Sequence, residues 1–277
     1  MLYYLPHGGH ILHMKIVVIT GSTRGIGFGL ADAFLALGCG VTISGRAQGT
    51  VDKAVTELAA RHGADRILGQ PCDVTQPDQV QALWDAAKAR FGRVDIWTNN
   101  AGLGTAMKDF WNHPPEEIEG LVTTNVIGAM LGARVALKGM REQGFGALYN
   151  VEGLGSDGRR MAGLTLYGST KYALAYLTDA LAQETRGTPI VVGALRPGMV
   201  LTGLLTDRLP TDPKERERAR RAFNLLADRV EVVTPWLAQK VLANQKTGVR
   251  LTWLTTGKLL SRFLMAPLGK RDLFGAD

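Results

Sequence analysis

The chain has 277 residues and a mass of 29.9 kDa, with 45% apolar and 21% charged residues. That balance excludes a disordered chain and fits one large α/β domain. The net charge of +7 is local: residues 1–213 carry 19 Lys+Arg and 19 Asp+Glu, residues 214–277 carry 13 and 6. The basic residues lack interleaved aromatics, so no nucleic-acid partner is expected. Two cysteines, Cys39 and Cys72, make neither a disulfide framework nor a zinc site, and a cytoplasmic setting is expected. The 34 glycines exceed the usual ~7% and predict many tight turns and close backbone approaches.

Residues 1–14 are expected to be a dispensable N-terminal arm, with Met14 a second candidate start. They lack the charged start and long apolar core of a signal peptide, and no run of 18 uninterrupted apolar residues occurs in the chain. His7, His10 and His13 have no carboxylate or cysteine beside them, so no metal is expected.

Lys15–Thr20 is a short β-branched run and predicts a buried strand. A helix is expected over Phe28–Leu37, stopped by Gly38. Further strands are expected at Val41–Ser44, Arg66–Cys72, Val94–Asn99, Ala147–Val151 and Ile190–Leu195. Helices are expected at Val51–Arg61, Gln76–Phe91 and Leu166–Thr185, with two helical stretches in Pro115–Met140. The alternation of strand and helix predicts a Rossmann-type fold: a doubly wound parallel sheet with helices on both faces. We expect a catalytic domain over 15–205 and, over 206–277, a substrate lid and basic extension of the same domain.

Between the first strand and first helix lies Thr20-Gly21-Ser22-Thr23-Arg24-Gly25-Ile26-Gly27. Glycines there allow a sharp turn and the close approach of a pyrophosphate, and the helix start offers free N–H groups. The second strand ends Ser44-Gly45-Arg46, without the carboxylate that would bind a ribose 2′-OH. Arg46, with Arg24, can instead pair with a 2′-phosphate. NADP(H) is therefore expected over NAD. Tyr167 and Lys171 stand at i and i+4 and share one helical face. A free phenol titrates near ~10, and a neighbouring ammonium lowers that, suiting the tyrosine to give a proton to a carbonyl oxygen.

The TGxxxGxG spacing, Asn99-Asn100-Ala101-Gly102, Thr124-Asn125-Val126, the YxxxK pair and Arg196-Pro197-Gly198 come in the order found in the short-chain dehydrogenase/reductase family. The chain resembles that family over about residues 15–205. The resemblance implies an oxidoreductase in which Tyr167 is the acid and Lys171 tunes it and holds the nicotinamide ribose. It also implies that Asn125 supports a proton relay through a water. The cofactor site would comprise Gly21, Ser22, Thr23, Arg24, Gly25, Ile26, Gly27, Arg46, Asp73, Val74, Asn100, Ala101, Gly102, Pro197, Gly198, Val200 and Thr202, with Tyr167 and Lys171. A homodimer or homotetramer is implied too.

The family's Ser-Ser place after the fifth strand falls on or near Gly153, and Ser156 is the only hydroxyl in that loop. Either Ser156 holds the carbonyl oxygen, or a backbone N–H or water does. The segment NVEGLGSDGR…YGSTK resembles the chlorophyll(ide) b reductase branch, as do Thr123–Gly128, Pro197–Val200 with Thr202, and Leu225–Trp236. That implies NADPH-dependent reduction of the C7 formyl group of chlorophyll(ide) b or a related tetrapyrrole to hydroxymethyl. A general aldehyde or ketone reductase is the alternative, and a cofactor-binding regulator a further one. Met199, Leu201, Leu204 and Leu205 would line the lid, or simply pack it. Leu251–Leu268 mixes apolar residues with Lys258 and Arg262, which suits peripheral contact with a membrane surface, packing on the core, or an oligomer contact.

Overall fold

The computed structural model describes residues 13–203, 212–265 and 271–274. In chain order it contains β1 (Ile16–Ile19), α1 (Gly25–Ala36), β2 (Gly40–Gly45), α2 (Gln48–His62), β3 (Ile67–Pro71), α3 (Pro77–Phe91) and β4 (Ile96–Asn99). A 3-10 turn at Phe110–Asn112 leads into α4 (Pro115–Val122), a π-helical turn (Thr123–Ile127) and α5 (Gly128–Gln143). Then come β5 (Gly146–Val151), α6 (Thr165–Glu184), β6 (Ile190–Arg196), β7 (Met199–Leu201), α7 (Pro213–Leu226), β8 (Ala227–Arg229), α8 (Val230–Ala243), β9 (Val249–Thr252) and α9 (Thr256–Met265).

Seven parallel strands form one sheet in the order β3-β2-β1-β4-β5-β6-β9. Successive residues of β1 point to opposite faces, and both faces are covered. Val17 and Ile19 pack with Leu30, Phe34, Leu58, Val233 and Leu237 from α1, α2 and α8. Val18 packs on the other side with Leu83 and Trp84 of α3, and Ala133, Ala136 and Met140 of α5. The strand order reverses between β1 and β4, which opens a crevice at the C-terminal ends of the strands. This is the doubly wound sheet that the alternation predicts.

Three elements differ from the sequence expectation. Helix α1 starts at Gly25, one turn earlier than Phe28. Its glycines serve close packing: a side chain at Gly29 would collide with Val230 and Thr234 of α8. The Pro115–Gln143 helix is continuous, with a π turn in place of a break. By length and composition it could cross a membrane, yet it lies along the sheet with Ala133, Ala136 and Met140 in the core.

The third difference concerns residues after 205. α8 belongs to the main core, and β9 is the seventh strand, paired in parallel with β6 from Gly193–Val249 to Arg196–Thr252. VRLT is a half-buried edge strand without a long apolar run, so periodicity does not reveal it. Two of the tail's cations are tied back to the fold. Arg262 and Arg271 both bond Asp228, which accepts from Trp253 Nε1 at 2.6 Å as well. Burial raises the Asp228 pKa, but these donors outweigh it and the net shift is downward. Lys258 lies 3.0 Å above the Trp253 ring. The apolar side chains of Leu260, Phe263, Leu264 and Met265 face outward. Leu204, Leu205, the boundary at 205–206, His7 and His10 lie outside the described residues.

Candidate active site

The β1–α1 turn is built to bring backbone to a ligand. Gly21 and Gly25 have φ of +62° and +59°, where a side chain is strained. A Cβ on Gly21 would stand 2.8 Å from Ala101 Cα, so this turn and the loop after β4 nearly touch. Thr20 locks them: its hydroxyl accepts from the backbone N–H of Asn100 and of Ala101, each at 3.0 Å. Asn100 Nδ2 donates to the carbonyls of Thr20 and Gly21 at 2.9 Å. The first turn of α1 has no acidic residue and no capping side chain, so its N–H groups remain open to an anion. Arg46 follows β2, and Arg24, Arg46 and Lys53 line the same wall. The carboxylate that also lines it, Glu57, is paired with Arg61. Positive-φ glycines and an uncapped helix start form a donor set that fits the phosphates of a nicotinamide dinucleotide, with cations on the same cleft.

The second half of the site stands on β5, α6 and the π turn. Lys171 is buried and its Nζ donates to the carbonyl of Val151 at 3.1 Å. Burial pulls its pKa down to about 8, against the pull of Glu152, which raises it. Lys171 Nζ lies 5.7 Å from the centre of the Tyr167 ring. The Tyr167 hydroxyl lies directly over Gly153, where a Cβ would be only 2.5 Å from it. The place that resemblance assigns to a serine is therefore occupied by the tyrosine hydroxyl, and glycine is what admits it. Replacing Gly153 with serine should lower turnover by about 10- to 100-fold through displacement of Tyr167, with the fold retained. Steady-state rates beside a thermal melt would check this. Unchanged turnover would contradict the packing.

The next loop puts Ser156 in the cleft, 5% exposed, with its N–H donating to the Gly153 carbonyl at 3.1 Å. Asn125 is buried within the π turn and is fully engaged. Its Oδ1 accepts from Leu103 N at 2.7 Å, and its Nδ2 donates to Leu103 O at 2.9 Å and Thr170 Oγ1 at 3.1 Å. Its carboxamide thus fixes the loop after β4 beside Lys171.

One continuous cleft of about 2360 Å³ runs through these parts. It is lined by Gly21, Thr23–Gly27, Arg46, Asp73, Val74, Asn100–Gly102, Ser156, Tyr167, Lys171, Pro197, Gly198, Val200 and Thr202. So the structure gathers all the expected cofactor and catalytic residues except two. Asn125 lies behind the wall, and Ser22 is turned into the fold. The Ser22 hydroxyl donates to Ile19 O at 2.7 Å and accepts from Ser44 N at 2.9 Å, which ties β1 to β2. A motif gives the residue's place but not its side chain's direction. Asp73 also spends one carboxylate oxygen locally, accepting from the N–H and hydroxyl of Thr75.

The cleft is also lined by the apolar side chains of Met107, Leu154, Met161, Met199, Phe223 and Leu254, beside the charged Glu116, Glu119, Arg159 and Arg160. The lid residue Met199 lines it, whereas Leu201 does not. Sequence reasoning missed Thr20 as the lock between the two loops. It also missed Glu152, whose side chain is completely buried and accepts from Arg196 Nε. The two partners lie 44 positions apart, so no local pattern links them.

The family model of short chain dehydrogenases matches residues 15–213. Chlorophyll(ide) b reductase NOL, chloroplastic, of Oryza sativa subsp. japonica is 37% identical over 250 residues, 86% of this chain and 71% of that protein. Probable chlorophyll(ide) b reductase NYC1, chloroplastic, from the same plant is 33% identical over 266 residues, 90% of this chain and 52% of that protein. The chain therefore spans only about half the length of NYC1. A structure of 3-ketoacyl-(acyl-carrier-protein) reductase from Brucella melitensis complexed with NADH superposes with a TM-score of 0.74 at 28% identity. It covers 88% of this chain and 98% of that one. ElxO with NADP bound superposes with a TM-score of 0.77 at 26% identity, covering 90% and 100% of the two chains. With the family model spanning most of its length and the nucleotide turn, sheet order and Tyr–Lys wall all in place, this chain belongs to the short-chain dehydrogenase/reductase family of oxidoreductases.

Proposed function

We propose that this chain is an NADPH-dependent carbonyl reductase whose substrate is the C7 formyl group of chlorophyll(ide) b or a related tetrapyrrole. The observation that carries the reading is the placement of the Tyr167 hydroxyl and the Lys171 ammonium on three successive residues at the end of β5, Val151–Gly153. They stand at the wall of a cleft lined by the glycine-rich turn, by cations and by apolar side chains such as Met161 and Phe223. The likeness to NOL and NYC1 supports the choice of substrate.

When bound, the nicotinamide supplies a hydride. The rest is done by the chain's own residues. The α1 N-terminus and Gly21–Gly27 hold the phosphates, and Arg24 and Arg46 meet the 2′-phosphate. Lys171 spends one of its three N–H donors on Val151 and offers the others to the ribose and to Tyr167. Tyr167 gives its hydroxyl proton to the carbonyl oxygen, and the buried ammonium beside it stabilises the phenolate left behind. Ser156, buried in the cleft wall on the loop that leads into α6, would hold that oxygen.

Two experiments test this. Purified protein with NADPH and chlorophyllide b, kept anaerobic, should form the 7-hydroxymethyl product faster than it reduces a panel of simple aldehydes. Much faster turnover of simple aldehydes would favour the general reductase and sink the pigment assignment. Separately, Arg46→Ala should weaken NADPH binding by about 10- to 100-fold, as for a lost charge-assisted contact, and leave NADH binding nearly unchanged. Equal NADPH affinity in the variant, by fluorescence titration, would remove the argument for NADP. The exposed Val122, Ile127 and Met130 of the α4–α5 helix and Tyr172 and Tyr176 of α6 offer a face for a second copy of the chain. Light scattering should then give the mass of a dimer or tetramer.

A further inference from the structure

We propose that Glu152 is a positioning residue for the reaction at this site: its buried carboxylate, clamped by Arg196 one residue beyond the carbonyl that holds Lys171, supplies the negative charge that keeps the Lys171 ammonium charged. The proposal rests on the reading that Lys171 meets the nicotinamide ribose.

Glu152 immediately follows β5, and its backbone N–H donates to Leu195 O at 2.9 Å, which pins it to β6. Its side chain has no exposure. Arg196 Nε donates to Oε2, while Arg250 Nε stands 3.5 Å from Oε1. That second approach is a charge contact and not a hydrogen bond, for both atoms lack a hydrogen-bond partner among the described residues. Arg250 is instead held through Nη2 by Asp179 at 2.7 Å.

A buried ion pair is a poor source of stability, since well-packed apolar side chains serve a fold as well. What an apolar side chain cannot do is act on a neighbouring charge. Here the neighbour is the Lys171 ammonium, bonded to the carbonyl of Val151, the residue just before Glu152. Three successive residues at the end of β5 therefore carry three functions: Val151 receives the ammonium, Glu152 supplies negative charge, and bare Gly153 admits the Tyr167 hydroxyl. Burial already draws Lys171 down to about 8, and Glu152 is the charge that opposes it. The charged and titratable groups around this point are Tyr167, Tyr172 and Asp179 on α6, Asp157 on the loop after β5, Arg196 on β6, Arg250 on β9 and Glu152 itself. Without Glu152, Lys171, Arg196 and Arg250 would be left with Asp157, which is paired with Arg159, and Asp179, whose side chain is 56% exposed.

The test needs no carbonyl substrate. NADPH affinity of the full chain is measured by fluorescence from pH 7 to 10, where loss of the Lys171 proton should give an alkaline limb. Glu152→Gln keeps an oxygen for Arg196 and loses the charge; its limb should move down by about one pH unit. Glu152→Asp keeps the charge and should restore most of that shift. Arg250→Gln removes a cation from the same cluster and should move the limb up. A purely structural salt bridge predicts no such opposite shifts. An unmoved limb in Glu152→Gln, or shifts of the same sign in Glu152→Gln and Arg250→Gln, would overturn the proposal. If Glu152→Gln does not fold, Arg250→Gln decides alone: an upward shift supports the proposal and an unmoved limb overturns it. Failure of the wild-type chain to bind NADPH would overturn the reading of the site and this proposal with it. Failure to reduce a tetrapyrrole would touch only the substrate assignment.

Discussion

Tyr167→Phe is expected to lower the rate of carbonyl reduction by about 10²- to 10⁴-fold, the range lost when a positioned general acid is removed. The phenylalanine ring keeps the apolar volume and removes the one hydroxyl that lies over Gly153. Because the nucleotide wall is made by the α1 turn, the loop after β4 and Arg46, NADPH affinity should change by no more than about twofold, since no charged contact is removed. A loss confined to turnover would mark Tyr167 as the proton donor. Retained turnover would refute that role, and joint loss of binding and turnover would mark a structural one.

Lys171→Met should do two opposite things: abolish most activity and stabilise the fold at neutral pH. The lysine is buried and its pKa is pulled from 10.5 to about 8, so keeping it charged below that value costs on the order of 3 kcal/mol. Methionine fills similar space without charge but leaves the Val151 carbonyl without this donor, a loss of about 1 kcal/mol. The net gain of about 2 kcal/mol should raise the melting temperature by roughly 4–8 °C at pH 7. The sign with pH follows from proton counting. The folded pKa lies below the unfolded one, so between pH 8 and 10.5 the unfolded chain binds more protons at this residue and the wild type gains stability as pH rises. The advantage of the variant is therefore full below pH 8 and fades toward 10.5. A variant that melts below wild type at pH 7, with a pH-independent gap, would contradict this. Such a trade of stability for a charged group is common at reaction centres.

The layout of the central sheet was legible because its strands are short β-branched runs buried on both faces, separated by helices at crossover spacing. β9 escaped because an edge strand of mixed character, Val249–Thr252, carries no such run. The start of α1 was obscured by glycines at 25, 27 and 29, which favour a turn in isolation; here the loop after β4 packs on Gly27 and α8 on Gly29. At the site, spacing placed Tyr167, Lys171 and the Gly21–Gly27 turn together in one wall. It could not show that Ser22 faces inward, that Asn125 spends its carboxamide on Leu103, or that Gly153 is empty because a hydroxyl fills its place. Those facts depend on side-chain direction and on partners far away in the chain. Glu152 is the clearest case, since its partners Arg196 and Arg250 come from two other strands. The basic tail shows the converse: its charge excess is plain in the sequence, yet Arg262 and Arg271 are committed to Asp228 within the fold.

The central claim is that hydride passes from the nicotinamide to a formyl carbon while Tyr167 supplies the proton. It is tested most directly by mass spectrometry of the product formed from chlorophyllide b and NADPH deuterated at C4 of the nicotinamide. With label on the transferring face, the wild-type chain should place one deuterium on the new hydroxymethyl carbon, and Tyr167→Phe should form almost none of this product. A hydroxymethyl product without deuterium from either labelled face, or no reduction of the formyl group at all, would contradict the account.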